Sequence, residues 1–302
     1  MRGVAYLFMI FQSHVGELAS LLTAVCWTMS AIFFEKAGRR VGSLSVNIIR
    51  LFLGILFLGI TTLFTRGTFF PMDATLYNWV WLGLSGIIGF FLGDLFLFKS
   101  YTIIGSRTSQ LVMSLAPMIT ATIGWFFLDE VLSAKSILGI VVSVSGIMIA
   151  VAGKGLKLNV PMKGFLYALG GAAGQALGLI LSKKGMGDYD AVAATQIRAI
   201  FGFFSFILLV TFLNRWRRVF RTTGDGTSMK SITIGTVFGP FIGVALSLYA
   251  VQHTETGIAS TLMALVPIFI LVPTAFMFKE RITPRQVLGA VISIAGASIF
   301  FL

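Results

Sequence analysis

Charge is what this chain has least of: Asp, Glu, Lys and Arg make up 11% of its residues, against about 25% in ordinary globular domains. So little polar surface cannot cover a water-soluble globule, and a soluble enzyme is excluded. Cysteine is nearly absent. Its single copy, Cys26, lies inside an apolar run with no disulfide partner and in no metal or redox spacing. The two histidines, His14 and His253, stand too far apart in sequence for a zinc-ligand cluster. A phosphate-binding glycine loop is also missing, which argues against an intrinsic ATPase motor. Nothing calls for a metal or a cofactor.

What the chain has is apolar residues, 57% of 302, with a mean hydropathy of +0.94, and this excludes disorder. A spanning helix needs about 20 mostly apolar residues. Ten segments meet that length: 18–34, 44–64, 76–98, 108–128, 136–152, 164–181, 191–213, 232–251, 257–278 and 287–302. Runs this long are not transmembrane strands, which are about 9–11 residues and alternate, so the backbone must satisfy itself as helix. The expected fold class is all-α and polytopic, in the plasma membrane. Residues 3–10 are apolar behind Arg2 but too short to span, and read as a leader or an interfacial stub.

The net charge of +12 comes from Lys and Arg clustered between the apolar runs, as membrane-flanking charge is. The longest connection, 214–231, carries Arg215, Arg217, Arg218, Arg221 and Lys230 and reads as an exposed basic loop on anionic headgroups. It has no folded aromatic platform for nucleic acid.

The halves of the chain resemble each other. A slide of 148 residues places Arg50 on Arg198 and Gly54 on Gly202. A slide of 150 pairs Gly89 with Gly239, Gly93 with Gly243, Met113 with Met263, Pro117 with Pro267, Glu130 with Glu280, Gly139 with Gly289, Ser143 with Ser293 and Gly146 with Gly296. Chance apolar similarity aligns Leu and Val, not Arg, Pro, Glu and glycines. Five spans in each half is an odd number, so the second half enters the membrane from the opposite side. Inverted repeats of this kind place a substrate site at the midplane between halves. The expected repeats are 15–152 and 163–302.

Trp27 to Ser30 followed by Lys36, then Asn47, Arg50, Pro117, Glu130, Gly139 and Gly146, with Arg198, Pro267, Glu280, Gly289 and Gly296 in the second half, resemble the drug/metabolite transporter superfamily, specifically its EamA-type members. The resemblance implies ten helices around a central cavity that alternates access, and efflux of small metabolites, amino acids or drugs. The second half carries Gln175 where the first has Trp27, which makes the cavity asymmetric. Lys and Arg number sixteen on the side after the odd-numbered spans and five on the other. That bias puts both termini outside the cytoplasm, whereas the resemblance implies both inside.

Asp94, in the third span, is the acid within the apolar runs that needs a partner or a cavity. It is the candidate for proton coupling or for binding a substrate amine; the plainer reading is an acid paired with an Arg or Lys of a neighbouring span. Its counterpart in the second half is Val244. Arg50 and Arg198, each four residues short of the middle of their spans, are candidates for binding carboxylate or phosphate, or else structural arginines near a mouth. Asn47, Gln110 and Ser114, with Gln175, Gln196, Tyr249 and Gln252, complete the polar cavity candidates, and Trp27 offers an indole for stacking. Stripes such as Gly170, Gly174 and Gly178, and Gly235, Gly239 and Gly243, read as close helix packing. Pro117, Pro240, Pro267 and Pro273 read as kinks, and Glu130 and Glu280 as helix-boundary residues. Tyr189 and Asp190 with Gly93 and Asp94 hint at an aspartyl protease, but the glycine required two residues before Gly93 is Phe91. The expectation is a secondary transporter exporting small organic solutes, with protons as a candidate coupling ion and a second copy of the chain as a candidate partner. The alternative is a membrane receptor or assembly subunit that transports nothing.

Overall fold

The protein is described by a computed structural model over residues 14–116, 118–119, 122, 133–151, 160–253, 262–279 and 281–301. Among these residues every regular element is a helix. In chain order they are α1 (Val15–Val41), α2 (Ser43–Arg66), α3 (Leu76–Ser85), α4 (Asp94–Met113), α5 (Ala134–Val151), α6 (Met162–Met186), α7 (Ala191–Phe212), α8 (Trp216–Thr223), α9 (Gly226–Thr236), α10 (Val244–His253), α11 (Val266–Phe269), α12 (Leu271–Phe278) and α13 (Pro284–Phe301). Two π-helical segments, Gly86–Gly93 and Val237–Gly243, join α3 to α4 and α9 to α10. The described residues contain six helices long and apolar enough to cross a membrane, together with shorter apolar helices at Ile137–Val151 and Val266–Phe278. The expectations for Pro117, Glu130 and Glu280 lie outside the described residues.

Polarity runs opposite to that of a water-soluble protein. Phe64 and Phe212 are 85% and 87% exposed, while Arg50 and Asp94 are 3% and 4% exposed. An apolar exterior around buried ions is what a lipid solvent selects. Many small polar side chains inside the helices bond within their own turn: Ser20 donates to the Gly16 carbonyl and Thr23 to that of Ala19, each at 2.8 Å. The hydroxyls of Ser106 and Ser182 are buried exceptions with no hydrogen-bond partner.

Helix ends fall later than composition places them. The first span runs on through Glu35, Lys36 and Arg39 and stops where Gly42 takes φ 89°. Glu35, which reads as a flanking charge, is buried. It accepts from the Ser106 backbone N–H at 2.6 Å and pairs with Arg39. The third and fourth spans meet with almost no loop, because Gly105, at φ 77° and ψ 160°, breaks α4. In a straight helix residues nine apart are separated by about 13 Å. Here Ser100 Oγ and Ser109 Oγ lie 2.7 Å apart, so the arms fold back on each other.

The reading of 214–231 as a loop is corrected: it holds the helix α8 and the first turn of α9. Four arginines from 215 to 221 mask its apolar face in the composition. Val219 and Thr222 nonetheless turn inward, and Trp216 stacks on Phe220 at 5.6 Å. Arg40 ties α1 to Asp225 at 2.5 Å, which together with the Ser228 hydroxyl holds the Asp225 carboxyl below the usual carboxylate range.

Packing between elements follows the sequence repeat. Gly89 and Gly93 of the first π segment lie against Gly178 and Gly174 of α6, and Gly239 and Gly243 of the second lie against Ser30 and Trp27 of α1. Gly54 of α2 faces Pro240, while Gly202 of α7 faces Phe90. Helices α5 and α13 pair along their length, with Gly146 on Ser293 and Gly289, and Gly296 on Ser143 and Gly139. All of these contacts but one map onto partner contacts under the shifts of 148 and 150; the counterpart of Trp27 is Gln175, whose backbone N faces Gly93 beside Gly174. The first π segment contains no proline, whereas the second contains Pro240. The wound-out helix is therefore not a proline effect; glycine contact with the facing helix is its common feature.

A Cβ at Gly174 would lie 2.5 Å from the Gly93 Cα, whereas one at Gly226 would meet nothing within 4 Å. Gly174→Val should therefore cost about 1–3 kcal/mol and Gly226→Ala almost nothing. Thermal unfolding of the purified protein in detergent checks the pair.

A candidate substrate cavity between the halves

A cavity of about 340 Å³ lies at the centre of the helices, at the small end of the range for small-molecule sites. Its wall comes from both halves: Trp27, Arg50, Asp94 and Gln110 from the first, Gln175, Arg198, Val244 and Met263 from the second.

Placement of the ions begins with the local fold. Asp94 is the first residue of α4, immediately after the π segment, and is held there by Gly93 packed on α6. Arg50 sits one turn into α2 beyond Asn47. Its Nη2 pairs with Asp94 Oδ2 while its Nε donates to Asn47 Oδ1 at 2.9 Å. Asn47 Nδ2 in turn donates to the Asp94 backbone carbonyl at 3.3 Å, and Gln175 Nε2 donates to Asp94 Oδ1 at 2.9 Å. Both carboxylate oxygens thus have donors, one from each half of the chain. Bonding of this completeness is what a charge pair requires to survive away from water.

Arg198 is the exception. It is 4% exposed and lines the cavity, yet its Nε has no hydrogen-bond partner, and it forms no ion pair among the described residues. Its guanidinium carbon stands 4.5 Å from the centre of the Phe90 ring, and that of Arg50 stands 5.9 Å from the same ring. Phe90 is therefore the aromatic contact shared by the two cations.

The other polar candidates divide. Gln110 lines the cavity and donates to the Tyr101 hydroxyl at 2.9 Å, which folds it onto the opposite arm of α4. Ser114 lines it and meets Ser293 Oγ of α13 at 3.0 Å. Trp27 lines it against Gly243. Asn47 is fully buried behind the ion pair, outside the lining. Gln196 is buried away from the cavity, donating to the Phe69 carbonyl at 2.9 Å. Tyr249 does not join the site: it is 40% exposed and stacks on His253 with ring centres 3.9 Å apart. The side chain of Gln252 lies outside the described residues. Of the protease-like residues, Asp190 caps α7 by accepting from the Ala193 N–H at 2.8 Å, and Tyr189 donates to Asp73 at 3.0 Å.

Three contributors escaped the sequence reading. Phe90 is one of 29 phenylalanines and carried no distinguishing signal. Tyr101 sits past the apparent end of the third span, and Arg107 resembles a flanking charge. Arg107 is buried and donates to Thr274 Oγ1 of α12 at 2.8 Å, joining the broken helix to the second half.

Removing one member of a buried ion pair costs about 3–5 kcal/mol, while replacing both by apolar residues is often neutral. Asp94→Asn should accordingly lower the unfolding temperature well below that of the double variant Arg50→Met with Asp94→Leu. Thermal unfolding in one detergent compares them.

The sequence model of the EamA-like transporter family matches residues 14–152 and, a second time, 162–302. A protein of Escherichia coli (strain K12) named "Probable amino-acid metabolite efflux pump" is 26% identical over 196 residues, which span 63% of this chain and 66% of that protein. An uncharacterized transporter of Clostridium kluyveri is 25% identical over 226 residues, 72% of this chain and 71% of its own. A crystal structure sharing 16% identity aligns with a TM-score of 0.62 over 94% of this chain and 96% of its own, which speaks for the fold alone. With its long apolar helices and two family matches that together cover nearly its whole length, the chain is an integral, multi-pass membrane protein and belongs to the EamA-like transporter family.

Proposed function

We propose that this protein is a secondary transporter that exports small organic metabolites by alternating access. In this reading ten helices form an inverted repeat, 15–152 and 163–302, and the cavity lies on the axis that relates the halves. The observation that carries the reading is the composition of the cavity wall: both halves supply it, and the ion pair at its centre is closed by a side chain from each. Relative movement of the halves then changes both the opening and the bonding of Asp94. The glycine contacts between the π segments and α1 and α6 supply faces on which such movement proceeds without large side chains crossing. Amino-acid metabolites are the solute class that the name of the Escherichia coli relative supports.

Asp94 is the one carboxylate in the described cavity lining, which makes it the proton-coupling group of this reading. Protonation removes the negative charge that holds Arg50 and Gln175, and so loosens the contact between the halves. A proton entering from one side and a solute leaving from the other would then compete for a single arrangement of the cluster.

The test is flux in proteoliposomes under an imposed pH gradient, with labelled amino acids, nucleosides and cationic compounds. Wild type should move at least one solute faster against an inward proton gradient, and Asp94→Asn should lose that acceleration. Flux with no response to the gradient would remove Asp94 from the proton path. No flux of any solute would favour a receptor or assembly subunit.

A further inference from the structure

The repeat pairs Arg50 with Arg198 and Asp94 with Val244. Each member of the second pair opens a helix directly after a π segment, Asp94 after Gly86–Gly93 and Val244 after Val237–Gly243. Helix α4 packs on α2, which carries Arg50, and α10 packs on α7, which carries Arg198. The first half thus presents a cation with its counter-ion and the second the same cation with valine where the counter-ion would stand. The described lining contains two guanidiniums and one carboxylate, an excess of one positive charge against a largely apolar wall. The Arg198 Nε is correspondingly buried without a partner. A buried guanidinium without its own counter-ion is costly; among the described residues none pairs with Arg198, and an anion from outside the chain would supply the missing charge.

We propose that Arg198 is the anchor for a carboxylate group of the transported solute, and that the valine at 244 keeps this place vacant. The proposal rests on the transporter reading and narrows its substrate class. Most of the exposed lining is apolar, with Trp27, Phe34, Phe90, Phe98, Met113 and Met263 beside the polar residues already named. With about 340 Å³ available, the fitting solute is a small organic acid with an apolar body. Its carboxylate takes the Arg198 fork while the body lies against the rings. Asp94, occupied by Arg50 and Gln175, is not free to hold an ammonium group in this state. An amino group on the solute is therefore not what selects it.

The full-length protein in lipid nanodiscs tests this with matched pairs: 3-phenylpropionate against 3-phenylpropionamide, and L-phenylalanine against L-phenylalaninamide. Unfolding temperature reports binding. At least one acid should raise it and its amide should not. Arg198→Gln should weaken the acid about ten- to hundredfold. Val244→Asp, which gives Arg198 an internal partner, should do the same. It keeps the question decidable should Arg198→Gln fail to fold. Equal stabilisation by acid and amide, no response to either acid, or an undiminished response in Val244→Asp would each overturn the assignment. Counterflow of the same compounds in proteoliposomes separates the two readings. Flux of cationic or neutral solutes without any acid response sinks the carboxylate anchor and leaves transport standing. Acid binding without flux of any compound sinks transport and leaves the anchor.

Discussion

A buried carboxylate and a buried guanidinium are stable only when they neutralise each other, and the architecture is built around one such pair. Arg50 and Asp94 come from different helices, and Asn47 and Gln175 complete their bonding. Gln175 belongs to the half that supplies neither ion. The cluster can form only when α6 lies close against the first π segment, which the glycines on both surfaces permit. Close packing, wound-out helix and ion pair are therefore one constraint expressed three ways.

The same constraint makes the two halves chemically unequal. Packing obeys the repeat almost contact for contact, from α5 with α13 to the exchange of Gly54 on Pro240 for Gly202 on Phe90. Charge does not obey it. The backbone of the second half reproduces the surroundings of Asp94 without its carboxylate, and Arg198 is left facing the cavity. In the proposed mechanism the repeated frame would supply the movement that transport requires, and the broken charge symmetry would give a solute a reason to bind in the middle.

Much of this was legible in the residues. Apolar length marked most of the spans, and the registers of 148 and 150 located the π segments indirectly, through the glycines at 89, 93, 239 and 243. Arg50, Asp94, Arg198, Gln110, Ser114, Gln175 and Trp27 all reach the cavity, because polar groups in an apolar helix have few other places to go. Partnership was not legible. Nothing in spacing tells which of two arginines holds Asp94, or that Glu35 and Arg107, written like flanking charges, turn inward. Those outcomes depend on helices that end later than hydropathy suggests and on the break at Gly105, a conformational choice invisible in composition. Helix α8 was missed for the opposite reason: its arginines hide the two residues that dock it.

In the proposed mechanism the cavity faces the two sides of the membrane in turn. Ser247 lines it from α10, and the one native thiol, Cys26, is buried in α1. In a Cys26→Ala background, Ser247→Cys should react with a membrane-impermeant maleimide both in right-side-out and in inside-out vesicles, since each orientation exposes one of the two states. Reaction from one side only, unchanged by any transported solute, would contradict the account.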